Sequence, residues 1–114
     1  MVATLALVVS GCASHDALGL AQKACAKVDG ALALYARSQS EGSSPQAAAD
    51  AATSVVQLHA ALPVAAVAAG ESPMWQPLMT TLTEAGRVPE QYLVHALTVQ
   101  CADAQANGNA NEGP

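Results

Sequence analysis

The chain has no phenylalanine, and only one tryptophan and two tyrosines among its 114 residues. Its core must therefore be built from aliphatic side chains. Much of the apolar 52% is alanine, which favours helix but buries little area. Positive charge is as scarce: Lys23, Lys27, Arg37 and Arg87 stand against nine carboxylates, for a net charge of −5. That balance excludes nucleic acid, which needs a basic footprint, and electrostatic attachment to anionic lipid. No apolar run reaches the ~20 residues that a membrane span requires. Cysteine and histidine spacings mark no zinc site, and His15, His59 and His95 form no i, i+4 ligand pair. A Gly-x-Ser-x-Gly elbow and a phosphate-cradling glycine loop are also missing. Glu84, Glu90 and Asp103 stand as isolated carboxylates. No enzyme, cofactor or metal is expected from this inventory, and no β-alternation of useful length interrupts the helical patterning.

The most informative stretch that is present is Val9-Ser10-Gly11-Cys12, which follows the apolar run from Val2. A hydrophobic segment, two small residues and a thiol read as a lipoprotein processing signal. Residues 1–11 are then expected to be cleaved, leaving residues 12–15 as a lipidated N-terminus. A diacylglyceryl thioether and a palmitate-type N-acyl chain on Cys12 would exceed the two-signal level needed for stable attachment. The expected address is the extracytoplasmic side of the cell membrane. Export signals normally open with Lys or Arg, and residues 1–11 hold neither, so a basic segment is expected upstream of Met1. Once Cys12 is acylated, Cys25 and Cys101 remain as a disulfide pair for an oxidising compartment. Closing a loop that long is worth about 4.5 kcal/mol in the chain-entropy model. Two unrelated buried thiols are the alternative.

Helix signals divide residues 16–105 into four segments. The first runs from about Asp16 to Ser40, capped by Ser14 or Asp16, with Leu18, Ala21, Cys25, Val28, Leu32 and Tyr35 on one apolar stripe. Ser44-Pro45 opens the second, with Ala48, Ala51, Val55, Leu58 and Leu62 inward. It is expected to stop or kink at Pro63, with a further turn or two before Gly70. Ser72-Pro73 opens the third, to Ala85, packed through Trp75, Leu78, Met79 and Leu82; Pro77 is expected to distort its first turn and Gly86 to cap its end. Pro89 opens the fourth, to Gln105, with Leu93, Val94, Leu97 and Cys101 inward. Residues 106–114 read as a disordered tail. An all-α, up-down four-helix bundle with its first and last helices joined by a disulfide satisfies these constraints.

Met74, Trp75, Met79 and Tyr92 are the candidate contact residues, either as an exposed patch for a partner or ligand or, for Trp75, as core filling. Several segments resemble small actinobacterial lipoproteins usually called hypothetical. They are Met79 to Glu84, Arg87-Val88-Pro89-Glu90, Leu93-Val94, Ala96-Leu97 and Gln100-Cys101, with Cys25 to Val28, Ala31 to Tyr35, Leu58 and Ala61-Leu62-Pro63. The resemblance implies a lipidated, exported helical domain and transfers no activity. The functional expectation is a non-enzymatic interaction or structural module of the envelope, its partners the membrane through the anchor and an envelope protein. The alternative is a carrier that holds a small apolar molecule between helices, marked by a cavity near Trp75.

Overall fold

The computed structural model describes the backbone of residues 13–111 and the side chains of residues 17–106. The expected signal at residues 1–11 and the lipidation point Cys12 lie outside the described residues, as do the side chain of His15 and residues 112–114. Among the described residues four helices make up the fold: α1 (Ala13–Ser40), α2 (Pro45–Glu71), α3 (Gln76–Thr83) and α4 (Val94–Asn111). Single 3₁₀ turns, Pro73–Trp75 and Glu90–Tyr92, lead into α3 and α4. It is the expected small helical bundle, and Cys25 of α1 is bonded to Cys101 of α4 with their Cα atoms 5.4 Å apart.

The two long helices form an antiparallel hairpin about the turn at residues 41–44. Gly42 supplies the left-handed conformation there, with φ +68°. The Ser44 hydroxyl accepts the Ala47 N–H at 3.1 Å, and Pro45 occupies the first turn, where its missing donor costs nothing. Small residues line the seam between these helices. Ala17, Ala21, Ala24, Val28, Ala31 and Ser38 are buried on α1, against Ala47, Asp50, Ser54, Leu58, Ala61, Ala65 and Ala68 on α2. The α2 series advances in steps of three and four, as does the α1 series to Ala31 before one double step to Ser38, the signature of a continuous helical face.

The expected face was one residue out of place on α2. Ala48 is exposed, and Ala51, Val55 and Leu62 are half-buried, while Ala47, Ser54 and Ala61 take the centre. Leu18 and Leu32 of α1 are likewise half-buried, packed on the edge of the core. Interaxial distance depends on the side chains at the contact. Centring Ala and Ser brings the backbones close and moves Leu and Val to the shoulders.

Pro63 does not stop α2, which passes through it to Glu71. The proline is exposed, so the N–H it lacks falls on the outer side of the helix, where water can substitute. The continuous helix is long and apolar enough to cross a membrane by length and composition, which corrects the expectation that no such segment exists. Only 28% of its most apolar window is buried, so much of that apolar surface faces outward.

Three further helix limits differ from expectation. α1 is already helical at Ala13, so neither Ser14 nor Asp16 lies outside it as a cap. The segment from Pro73 divides at Pro77: the Gln76 N–H bonds to the Pro73 carbonyl as a 3₁₀ turn, and Pro77 then sits in the first turn of α3. The fourth helix starts at Val94, because Pro89 is extended and residues 90–92 form a 3₁₀ turn instead. At its far end α4 continues to Asn111, beyond the Gln105 limit and into the segment expected to be disordered. Propagating an existing helix by one residue is far easier than nucleating one.

α3 packs on α2, and α4 packs on α1 and α3. Trp75, Leu78, Leu82, Leu93 and Leu97, with Leu58 of α2, supply the larger side chains of the core. Gln22 Nε2 donates to the Ala104 carbonyl at 3.4 Å beside the disulfide, and Gln100 Nε2 donates to Thr81 Oγ1 at 3.0 Å.

Two outcomes are expected. Ala61→Leu, the larger side chain at the fully buried seam, should lower stability by about 1–3 kcal/mol in urea titrations. Removing the disulfide by Cys25→Ala with Cys101→Ala should cost about 2–4 kcal/mol by the same measurement.

Candidate functional site

The four candidate contact residues do not converge. Trp75 is buried in the core, whereas Met74 is 53% exposed and Tyr92 67% exposed. Met79 is half-buried at the core edge. A recess of only about 100 Å³ touches Met74, Trp75, Pro77, Leu78, Gln100 and Asp103, and neither Met79 nor Tyr92 lines it. Trp75 is therefore core filling, made accessible at one small edge.

The titratable groups are spread in the same way. His59 and His95 are both exposed, and His59 Nε2 lies 2.7 Å from the Ala85 carbonyl, to which it donates. Gly86, with φ +82°, caps the end of α3 beneath that imidazole. A Cβ there would approach the ring to 3.2 Å. His59 thus fastens the loop after α3 to α2. Among the described residues no group of three His, Cys, Asp or Glu side chains could hold a metal. Asp50, buried in the seam, accepts from Arg37 Nε at 3.1 Å and from Gln46 Nε2 at 2.9 Å. Burial opposes its ionisation, but a hydrogen bond from Glu41, with the Gln46 and Arg37 hydrogen bonds and the Arg37 charge, holds the Asp50 pKa below the usual value. The Glu41 pKa is itself raised, so that Glu41 can hold the shared proton.

One polar cluster within the core was missed by sequence reasoning. Ser54 Oγ, fully buried on α2, lies 2.7 Å from the Ala31 carbonyl of α1 and 2.5 Å from Glu90 Oε2. A serine hydroxyl has one proton and cannot donate to both. The arrangement closes if Glu90 is neutral: its O–H donates to Ser54 Oγ, and Ser54 donates to the Ala31 carbonyl. Glu90 is buried, and its Oε1 has no hydrogen-bond partner. An ionised carboxylate with an unpaired oxygen is a costly thing to bury. Burial accordingly raises the Glu90 pKa, against a smaller opposing effect of the Ser54 hydrogen bond. This contact clasps three elements together. It offers no nucleophile, because Ser54 is out of reach of any substrate.

A larger depression lies elsewhere among the described residues, on the outer face of the α1–α2 hairpin. It is a groove of about 570 Å³, lined by Lys23, Ala26, Lys27 and Gly30 of α1 and by Gln57, Ala60 and Val64 of α2. Its floor is formed by small residues, and two lysines one helical turn apart stand on its α1 side. Gln57 reaches across towards Gly30, where an added Cβ would meet its Oε1 at 3.1 Å. The apolar surface extends along α2 through Val56, 64% exposed, and Val67, 53% exposed. Sequence reasoning missed this groove because it broke the second helix at Pro63, whereas α2 runs on to Glu71. The periodic recurrence of Val56, Ala60, Val64 and Val67 was the available signal.

No protein-family model matches the chain, and no similar curated protein or solved structure was found.

The Glu90 clasp has a definite pH signature. Its folded pKa lies above the unfolded carboxyl value near ~4.3. The stability it adds is fully present below that unfolded value and is lost as pH rises through the folded one. Urea midpoints measured from mildly acidic to mildly alkaline pH should therefore decline less steeply in Glu90→Gln than in the parent. An unchanged slope would show that Glu90 holds no extra proton. Ser54→Ala should cost about 1–3 kcal/mol by leaving the buried acid without its partner.

Proposed function

We propose that this protein is an exported lipoprotein, tethered through Cys12 to the outer side of the cell membrane, whose helical bundle is a non-enzymatic interaction module of the envelope. The Val9-Ser10-Gly11-Cys12 stretch supports the tether. The Cys25–Cys101 disulfide supports an oxidising compartment, since such bonds are rare where thiols are kept reduced. The resemblance of the segments around Arg87 to Glu90 and Gln100-Cys101 to small actinobacterial lipoproteins points the same way.

The interaction role rests on one observation: α3 and α4 pack around the hairpin but leave an apolar groove on its outer face. Solvent-facing Val56, Ala60 and Val67, with half-buried Val64 between them, form a surface on a single helix of the kind that partners cover. The carrier reading has less support. Its expected cavity near Trp75 amounts to about 100 Å³, whereas small-molecule pockets are typically of roughly 300–1,000 Å³.

The tether is tested by cell fractionation. Cys12→Ala should move the protein from the membrane fraction to the soluble one, and intact mass should show the loss of the acyl groups. A Cys12→Ala protein that stays on the membrane with unchanged mass would refute the lipid anchor.

A further inference from the structure

We propose that the groove on the outer face of α1 and α2 is a docking site for an acidic amphipathic helix of a partner protein. The inference rests on the interaction-module reading and names the chemistry of its partner. Three features of the groove carry it.

The first is shape. The groove lies between two antiparallel helices, and Ala26, Gly30 and Ala60 are small residues in its lining. Small residues let a third helix approach closely, with Leu-sized side chains entering the depression as ridges enter grooves. The second is charge. Lys23 and Lys27 are two of only four cations in a chain of net charge −5, and both line this groove. No carboxylate shares the lining, and Arg37 pairs with Asp50 elsewhere on the hairpin. Two like charges one turn apart repel, and carboxylates at matching spacing on a partner would relieve that repulsion. The third is what the face lacks. Trp75 is buried and neither Tyr35 nor Tyr92 lines the groove, so it has no aromatic side chain of the kind that anchors proteins at a lipid interface. The chain's negative charge also disfavours anionic lipid. A helix bearing Leu at i, i+3 or i+4, and i+7, with Glu one turn apart on its flank, fits all three.

The test uses the full chain carrying Cys12→Ala, so that its outcome does not depend on the tether. Two synthetic helices with the same Leu stripe, one flanked by Glu and the other by Lys, are titrated while backbone amides are followed by NMR. The Glu-flanked helix should shift the amides around Ala26, Gly30 and Ala60 and bind at least tenfold more tightly than the Lys-flanked one. Its binding should weaken with added salt. Lys23→Glu with Lys27→Glu should reverse the preference; both sites are exposed, and Lys23→Gln with Lys27→Gln should abolish it. Equal binding of the two helices, or shifts that map to another face, would overturn the proposal. So would groove shifts caused only by phosphatidylglycerol vesicles, only by decanoate, or only by self-association at high protein concentration. Failure here with successful fractionation of Cys12→Ala would remove the partner and leave the anchor standing; the opposite pair of results would do the reverse.

Discussion

Close approach of α1 and α2 is the constraint on which the rest of the molecule depends. Of the twenty buried apolar residues described, eleven are alanine, and most of those lie along this seam. Each contributes little area, so the hairpin gains its stability from length and proximity rather than from bulky side chains. Dense packing of small groups tolerates little change in volume. Apart from Leu58 on α2, the larger core residues, Trp75, Leu78, Leu82 and Leu97, come from the shorter elements that fold back against the hairpin.

Those shorter elements are held by specific contacts as well as by burial. The disulfide fixes α4 to α1, His59 ties the loop after α3 to α2, and the Ser54–Glu90 contact seats the 3₁₀ turn before α4. Each contact compensates for a thin core with a bond of defined geometry. The hairpin's other face receives none of them, and its groove stays open. The asymmetry follows from chain length, because α3 has only 8 residues and α4 18, against 28 and 27 in the hairpin.

Much of the architecture was legible before any coordinates. Ser44-Pro45 marks the start of α2 because a hydroxyl and a proline satisfy the same helix end in different ways. Cys25 and Cys101 pair as expected because both lie on inward faces of neighbouring helices. Other features were not legible. Ala48 and Ala47 are chemically the same residue, so no hydrophobic pattern could say which faces α1. Pro63 removes one hydrogen bond from any helix, yet here its exposure leaves the freed carbonyl open to water. Glu90 read as a solvated carboxylate because the hydroxyl that receives it lies 36 residues earlier in the chain.

By itself the sequence determined the all-helical class, the thiol pairing, the turn positions and the scarcity of charge, since these follow from local propensity and composition. Which alanine lines the seam, which proline is tolerated, where Glu90 is buried and which face stays open were decided only by the tertiary structure. The physical reason is that each depends on a partner distant in sequence. Identical small side chains differ only in what they are packed against.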